Sequence, residues 1–181
     1  MQLITDEYRR LNENLHNKNF SYGVSGYQYS DHILALCEKL KTRDVLDYGC
    51  GKCTLANTLP FPIKKYDPAI RAFHEDPEPA DIVACTDVME HIEPDMLDNV
   101  LSHMASKTKK LVFMIICTRE AKKQLEDGRN AHLIVKDSKF WFNKINEHFD
   151  IISLNKSGEA LEIVARKINL PMEKQETTHE F

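Results

Sequence analysis

The chain has 181 residues, 42% of them hydrophobic and 29% charged, which is the mix of one ordinary globular core and excludes a fibre or a disordered tail. Its formal net charge of −4 argues against a protein that grips a phosphate backbone in general. MQLITDEYRR has no apolar leader, no run approaches the roughly 18 uncharged residues of a membrane span, and the five cysteines fall at irregular spacing, so a cytosolic protein with reduced thiols and no membrane partner is expected.

Leu3, Tyr8, Leu11 and Leu15 recur at helical spacing and predict a short amphipathic helix, followed by a Gly/Ser/Tyr-rich loop, SYGVSGYQYS. Tyr22, Tyr27 and Tyr29 in that loop either form a lid or pack the first helix. Asp31 reads as the cap of a helix through Leu40, with Ile33, Leu34, Leu36, Cys37 and Leu40 on its apolar face. DVLDYG predicts the first strand, and TLANTL from Thr54 about two helical turns that Pro60 and Pro62 stop. IKKYD is a second strand and DIVAC, Asp81 to Cys85, a third; Met96, Leu97, Val100, Leu101 and Met104 set a helix over 95–106. LVFMIIC, Leu111 to Cys117, is the most apolar run and predicts a central parallel strand buried on both faces. AKKQLE and SKFWFNKINEHF read as helices, with Trp141 and Phe142 assigned to the core. FDIISL and ALEIVARK predict two strands joined at Lys156-Ser157-Gly158, a hairpin by its turn chemistry. The last residues, 169–181, are polar and read as a tail.

Strands alternating with helices imply an α/β chain with a mostly parallel sheet, helices on both faces and an antiparallel C-terminal edge. In such sheets ligands sit beyond the carboxyl ends of the strands, so the loops after Asp47, Asp67 and Cys85 should converge. Asp47 is followed by Gly49, Gly51 and the start of a helix, which permits close backbone approach and offers free N–H groups to a ligand. Asp67 closes the second strand twenty positions after Asp47, where a carboxylate can take the two hydroxyls of a ribose. A dinucleotide fingerprint would need glycine at position 54, which is Thr54, and Lys52 is the lone nearby cation. A nucleoside without phosphates therefore fits better than a pyrophosphate. Tight-turn glycines and a turn-opening Asp-Pro are the bland alternatives. A redox site at Cys50 and Cys53 would need a low-pKa thiolate opening a long helix, and TLANTL is short.

These stretches resemble one family, the class I S-adenosylmethionine-dependent methyltransferases. VLDYGCGKCTLA is similar to their D-x-G-x-G-x-G motif with Cys53 in place of the last glycine, YDPA to their ribose-binding motif, and ADIVACTDVMEHIEP to their fourth strand and its loop. The closing strands resemble the antiparallel end of the same fold. The resemblance covers roughly residues 22–167 and implies a Rossmann-like doubly wound sheet. It divides the chain into an N-terminal helix and lid segment (1–30), a methyltransferase domain (31–168) and the tail (169–181). By position it implies that Asp47, Gly49 and Gly51 hold the methionine end of S-adenosylmethionine, with Tyr48 and Cys50 lining it through backbone. Asp67 would take the ribose, Pro68 and Ala69 would lie near adenine, and Thr86, Asp87 and Val88 would border the methyl. Between Asp67 and Asp81 there is room only for a vestigial third strand, which leaves Asp76 an open candidate for the adenine-side acid.

Methyl transfer is an in-line substitution, so the protein must position the acceptor and, for O or N acceptors, remove a proton. Glu90 and His91 are the first candidates, since the resemblance implies a glutamate-histidine pair at this place. His132 is the next, returning to the same rim after the following strand. No metal is required by this reading; were one bound, Asp87, Glu90, His91 and His132 would be its ligands, as in the similar set of small-RNA terminal 2′-O-methyltransferases. Base-flipping DNA enzymes of this fold carry an Asp/Asn/Ser-Pro-Pro-aromatic motif where this chain has TDVM, and no target-recognition insert is visible, so no sequence-specific DNA recognition is expected. A small-molecule acceptor with O, N or C as its methylated atom is favoured. RNA stays open as an acceptor, as does a cofactor-binding module without its own activity.

Overall fold

The computed structural model describes residues 1–168, and the tail expected at 169–181 lies outside the described residues. One six-stranded sheet holds β1 (Val45–Tyr48), β2 (Lys64–Tyr66), β3 (Ala80–Thr86), β4 (Thr108–Cys117), β5 (Phe149–Ser157) and β6 (Ala160–Lys167) in the order β2-β1-β3-β4-β6-β5. The first four strands are parallel, and β6 runs antiparallel to both β4 and β5. The helices are α1 (Asp6–Lys18), α2 (Ser30–Leu40), α3 (Thr54–Thr58), α4 (Leu97–Lys107) and α5 (Ser138–Asn146).

The two-residue period of a strand divides the core into two layers. Val112, Met114 and Ile116 of β4 face Leu101 and Met104 of α4 and Trp141 and Ile145 of α5. Phe113 and Ile115 point the other way, to Ile33 and Cys37 of α2 and Leu55 of α3. Helices thus cover both faces, as the apolar run predicted. Trp141 is fully buried, and truncating such a side chain typically costs about 3–5 kcal/mol. Phe142, expected in the core, lies outside it: one position along α5 turns it outward, and it is exposed.

The segment between β2 and β3 is as short of structure as expected: residues 67–79 form turns and irregular chain with no strand, so the sheet ends at the three residues of β2. Other expectations fail for identifiable reasons. AKKQLE is not helical. Its backbone is claimed by Asn130, whose side chain accepts from Ala121 N (2.9 Å) and donates to Ala121 O (3.0 Å), while Leu125 is buried against α1. Tertiary partners override a local propensity here. Asp31 does not cap α2: the helix begins at Ser30, one residue earlier, with no side-chain cap.

The parallel strands end together at Tyr48, Tyr66, Thr86 and Cys117, and α1 packs over that edge. Ile4, Tyr8 and Leu11 join Ala69 from the loop after β2 and Leu125 from the loop after β4 in a small separate core. Thr5 caps α1 by accepting from Tyr8 N at 3.1 Å, and its own amide and hydroxyl donate to Glu93 at 2.8 and 2.7 Å.

Candidate functional site

Beneath α1, at the carboxyl ends of the strands, lies a cavity of about 470 Å³. Every residue singled out for the cofactor, at 47–51, 67–69 and 86–88, lines it, and so do Glu90, His91 and His132. Residues from three loops far apart in sequence are thus brought to one space.

The turn after β1 depends on its glycines. Gly49 has φ +80, and a Cβ there would stand 2.4 Å from Val88 Cγ2; Gly51 has φ +50, and a Cβ there would stand 2.8 Å from Gly23 O. Cys53 also takes the left-handed conformation, φ 58 and ψ 29, which accounts for glycine being usual at that place. One expectation is corrected. The amides of the turn are not free: Gly49 N and Cys50 N donate to Tyr66 O (2.7 and 3.0 Å), Gly51 N to Asp67 Oδ2 (3.1 Å) and Lys52 N to Gly23 O (2.9 Å). The turn offers a ligand its shape and close backbone approach, not unpaired donors. The thiols of Cys50 and Cys53 are 3.8 Å apart, and burial pushes both pKa values up, opposite to what a redox pair requires.

Asp67 Oδ1 accepts from Ala69 N at 3.0 Å while Oδ2 takes the Gly51 amide, so each oxygen keeps lone-pair capacity for a hydroxyl. Burial raises its pKa against these two backbone bonds. Asp47 is 3% exposed, and burial, then the charge of Asp67, pushes its carboxyl up to about 7. Asp76 stands apart from the cavity, paired with His103 (2.8 Å) and Lys107 (2.7 Å), so it supplies no acid there.

After β3 the chain turns at Asp87, φ 54, and a single 3₁₀ turn, Met89–His91, presents the acid-imidazole pair. Glu90 is fully buried: Oε1 accepts from Cys117 N at 2.9 Å, and Oε2 has no partner among the described residues. Burial, and then Asp87, lifts its pKa to about 8. His91 Nδ1 donates to Ala131 O at 2.7 Å, which leaves Nε2 unprotonated in the neutral ring; burial, then His132, depresses its pKa to about 3. His132 Nδ1 donates to Arg119 O at 2.6 Å, and its ring meets that of His91 edge-on, centroids 4.6 Å apart. Burial lowers its pKa as well. Of the four residues named as ligands were a cation bound, two come together with a third residue. Glu90 and His132 converge with Cys117, whereas Asp87 and His91 stay outside that group.

Several lining residues, Tyr8, His16 and Cys117 among them, are not marked as such by the sequence. Tyr8 donates to His91 O at 2.5 Å, beside Tyr22, whose hydroxyl lies 3.3 Å from His91 Nδ1. His16, from α1, is pushed down to about 4 by burial, then Lys52 and Lys123. Of the tyrosine cluster, Tyr22 and Tyr27 line the cavity, while Tyr29 packs on Phe113 and His32. The helical spacing of Tyr8 marked it only as apolar face, and the end of a strand gave no reason to single out Cys117.

Residues 20–160 match the family model of a methyltransferase domain. No curated protein matches the chain significantly. Among solved structures, a Burkholderia thailandensis 1,6-didemethyltoxoflavin-N1-methyltransferase is 14% identical with TM-score 0.62, and the match covers 93% of each chain. A magnesium protoporphyrin IX methyltransferase from Synechocystis with bound S-adenosylmethionine is 13% identical with TM-score 0.59, covering 93% of this chain and 100% of that one. An Escherichia coli rRNA methylase is 14% identical with TM-score 0.53, covering 91% and 78%. At these identities the likeness is one of fold. Among the described residues no helix is long and apolar enough to cross a membrane.

Proposed function

The chain belongs to the methyltransferase domain family, the class I S-adenosylmethionine-dependent enzymes, and from that premise we propose that it methylates a small molecule inside the cavity beneath α1. The observation that carries this reading is the meeting of the Asp47–Gly51 turn, Asp67 and the Glu90-His91 pair around one space of about 470 Å³. The residues fit the cofactor. Asp47 offers a carboxylate to its α-ammonium, Asp67 retains acceptor capacity for the ribose hydroxyls, and the missing Cβ of Gly49 keeps Val88 close against the turn. When bound, the cofactor supplies an electrophilic methyl group on a sulfonium.

The chain's own part is positioning. His91, neutral with Nε2 unprotonated, can accept a hydrogen bond from an acceptor O–H or N–H and so aim its lone pair. Glu90 and His132 flank the same space. A net charge of −4 and a cavity roofed by α1 favour a small acceptor over an RNA strand. The toxoflavin and porphyrin enzymes of similar fold act, by their names, on small molecules. A cytoplasmic location is in keeping with this reading.

Isothermal titration with S-adenosylmethionine, followed by an acceptor screen that reads the demethylated product, tests the proposal. Saturable cofactor binding is expected, weakened in Asp67→Ala, with turnover lost in His91→Ala while the cofactor still binds. No binding at millimolar cofactor would overturn the assignment, and turnover only on RNA would overturn the small-molecule acceptor.

A further inference from the structure

Glu90, Cys117 and His132 come from the turn after β3, the last residue of β4 and the loop beyond it. One ligand-type atom from each lies within 4.8 Å of the others. Three details separate this group from a chance meeting of polar side chains. Glu90 is fully buried, and among the described residues its Oε2 has no hydrogen-bond partner, a state that ordinarily costs stability. His132 donates Nδ1–H to the Arg119 carbonyl at 2.6 Å, which fixes the tautomer and leaves Nε2 as the ring's free lone pair, the usual support of a metal-ligating histidine. The Glu90 carboxylate is itself oriented by the Cys117 amide at 2.9 Å, so two members of the group are held to each other. The other grouping of this kind among the described residues, Asp98, Glu147 and His148, has both its acids exposed and already facing Lys144.

We propose that Glu90, Cys117 and His132 form a binding site for a divalent cation of zinc-like softness, with an open coordination position toward the cavity. A thiolate, an imidazole nitrogen and a carboxylate oxygen are the mixed set that such a cation accepts, and three protein ligands leave room for a fourth from outside. All three residues line the cavity, so that fourth ligand is water or an oxygen or sulfur atom of a molecule entering it. The cation also gives Glu90 Oε2 the partner it lacks. Asp87 and His91, outside the group, are not ligands. The site stands whatever the methyl acceptor is, because nothing in its geometry involves the cofactor.

Cobalt(II) titration of the full chain, reduced, metal-free and without S-adenosylmethionine, tests it. One equivalent should bind with a thiolate-to-cobalt charge-transfer band in the near ultraviolet, and zinc should displace it. The band should vanish in Cys117→Ser. Affinity should fall by roughly tenfold or more in His132→Gln and Glu90→Gln. Near-ultraviolet circular dichroism checks that each variant is folded, and the Cys117→Ser result decides the matter alone if Glu90→Gln is not. Absence of binding at millimolar cobalt overturns the proposal. So does a band that survives Cys117→Ser and disappears in Cys50→Ser, which would put the cation on the neighbouring cysteine pair.

Discussion

The carboxylate of Asp67 clasps the turn sixteen residues before it: its Oδ2 accepts the Gly51 amide at 3.1 Å, and its Oδ1 accepts that of Ala69 at 3.0 Å. One side chain therefore shapes the turn and faces the cavity at once. Asp67→Asn should lower both stability and cofactor affinity, because its amide nitrogen cannot accept from Gly51 N–H. A loss of about 1–3 kcal/mol in unfolding free energy is expected, together with weaker cofactor binding. Denaturant melts and calorimetry on the same samples check this. A variant with full stability and lost binding would show that the clasp contributes nothing to the fold.

Asp47 gives a pH dependence with a definite sign. Its carboxyl ionises near 3.8 in the unfolded chain and near 7 in the fold, through burial and then Asp67. Between about pH 4 and 7 the folded state holds the extra proton, so the cofactor-free protein loses stability as pH rises through that window. The other titratable groups facing Asp47 are the Cys50, Cys53 and Cys85 thiols, which burial keeps neutral. A ligand ammonium favours the Asp47 anion, so cofactor binding should release a proton, and it should tighten as pH rises toward 7, by up to about tenfold per pH unit. Melts across this range and calorimetry in buffers of different ionisation enthalpy measure both effects, each of which should flatten in Asp47→Asn.

Gly49→Ala should be severe. A left-handed alanine costs roughly 1–2 kcal/mol before the 2.4 Å approach to Val88 Cγ2 is counted. The melting temperature should fall by about 5 °C or more, with loss of cofactor binding. Val88→Ala in the same background should recover part of both, and failure to recover would mean that backbone strain, not crowding, dominates.

Cys53 allows a milder comparison. Cys53→Gly relieves the left-handed strain of about 1 kcal/mol but removes a buried side chain of similar worth, so stability should stay within about 1 kcal/mol. Cys53→Val, branched at Cβ, should be clearly less stable. Cofactor titration should find Cys53→Gly unimpaired, since the thiol has no part in the proposed chemistry.

What the sequence disclosed was mostly what is local. The apolar run at 111–117, the strand ending in Asp47 and the glycine pair each declare themselves within a few residues, and the twenty-residue step to Asp67 links two of them. Contacts made between loops were illegible. Nothing near Cys117 associates it with Glu90 or His132, and nothing in AKKQLE announces that Asn130 will claim its backbone. The cradle's amides looked free from the chain alone because their acceptors, Tyr66 O and Gly23 O, come from other segments.

The shortened sheet also bears on how copies of this chain meet. An outermost strand with open backbone groups invites pairing with another molecule, and dispensing with one strand moves that hazard inward to β2. Here the new border is three residues long and carries two lysines, and Asp76-Pro77-Glu78-Pro79 lies ten residues further on, just before β3. Lys64 is held by Asp44 at 2.6 Å and Pro79 O at 2.9 Å, and Lys65 lies over the ring of Phe73. So brief and cationic a margin is a poor template for a strand added at that border of the sheet.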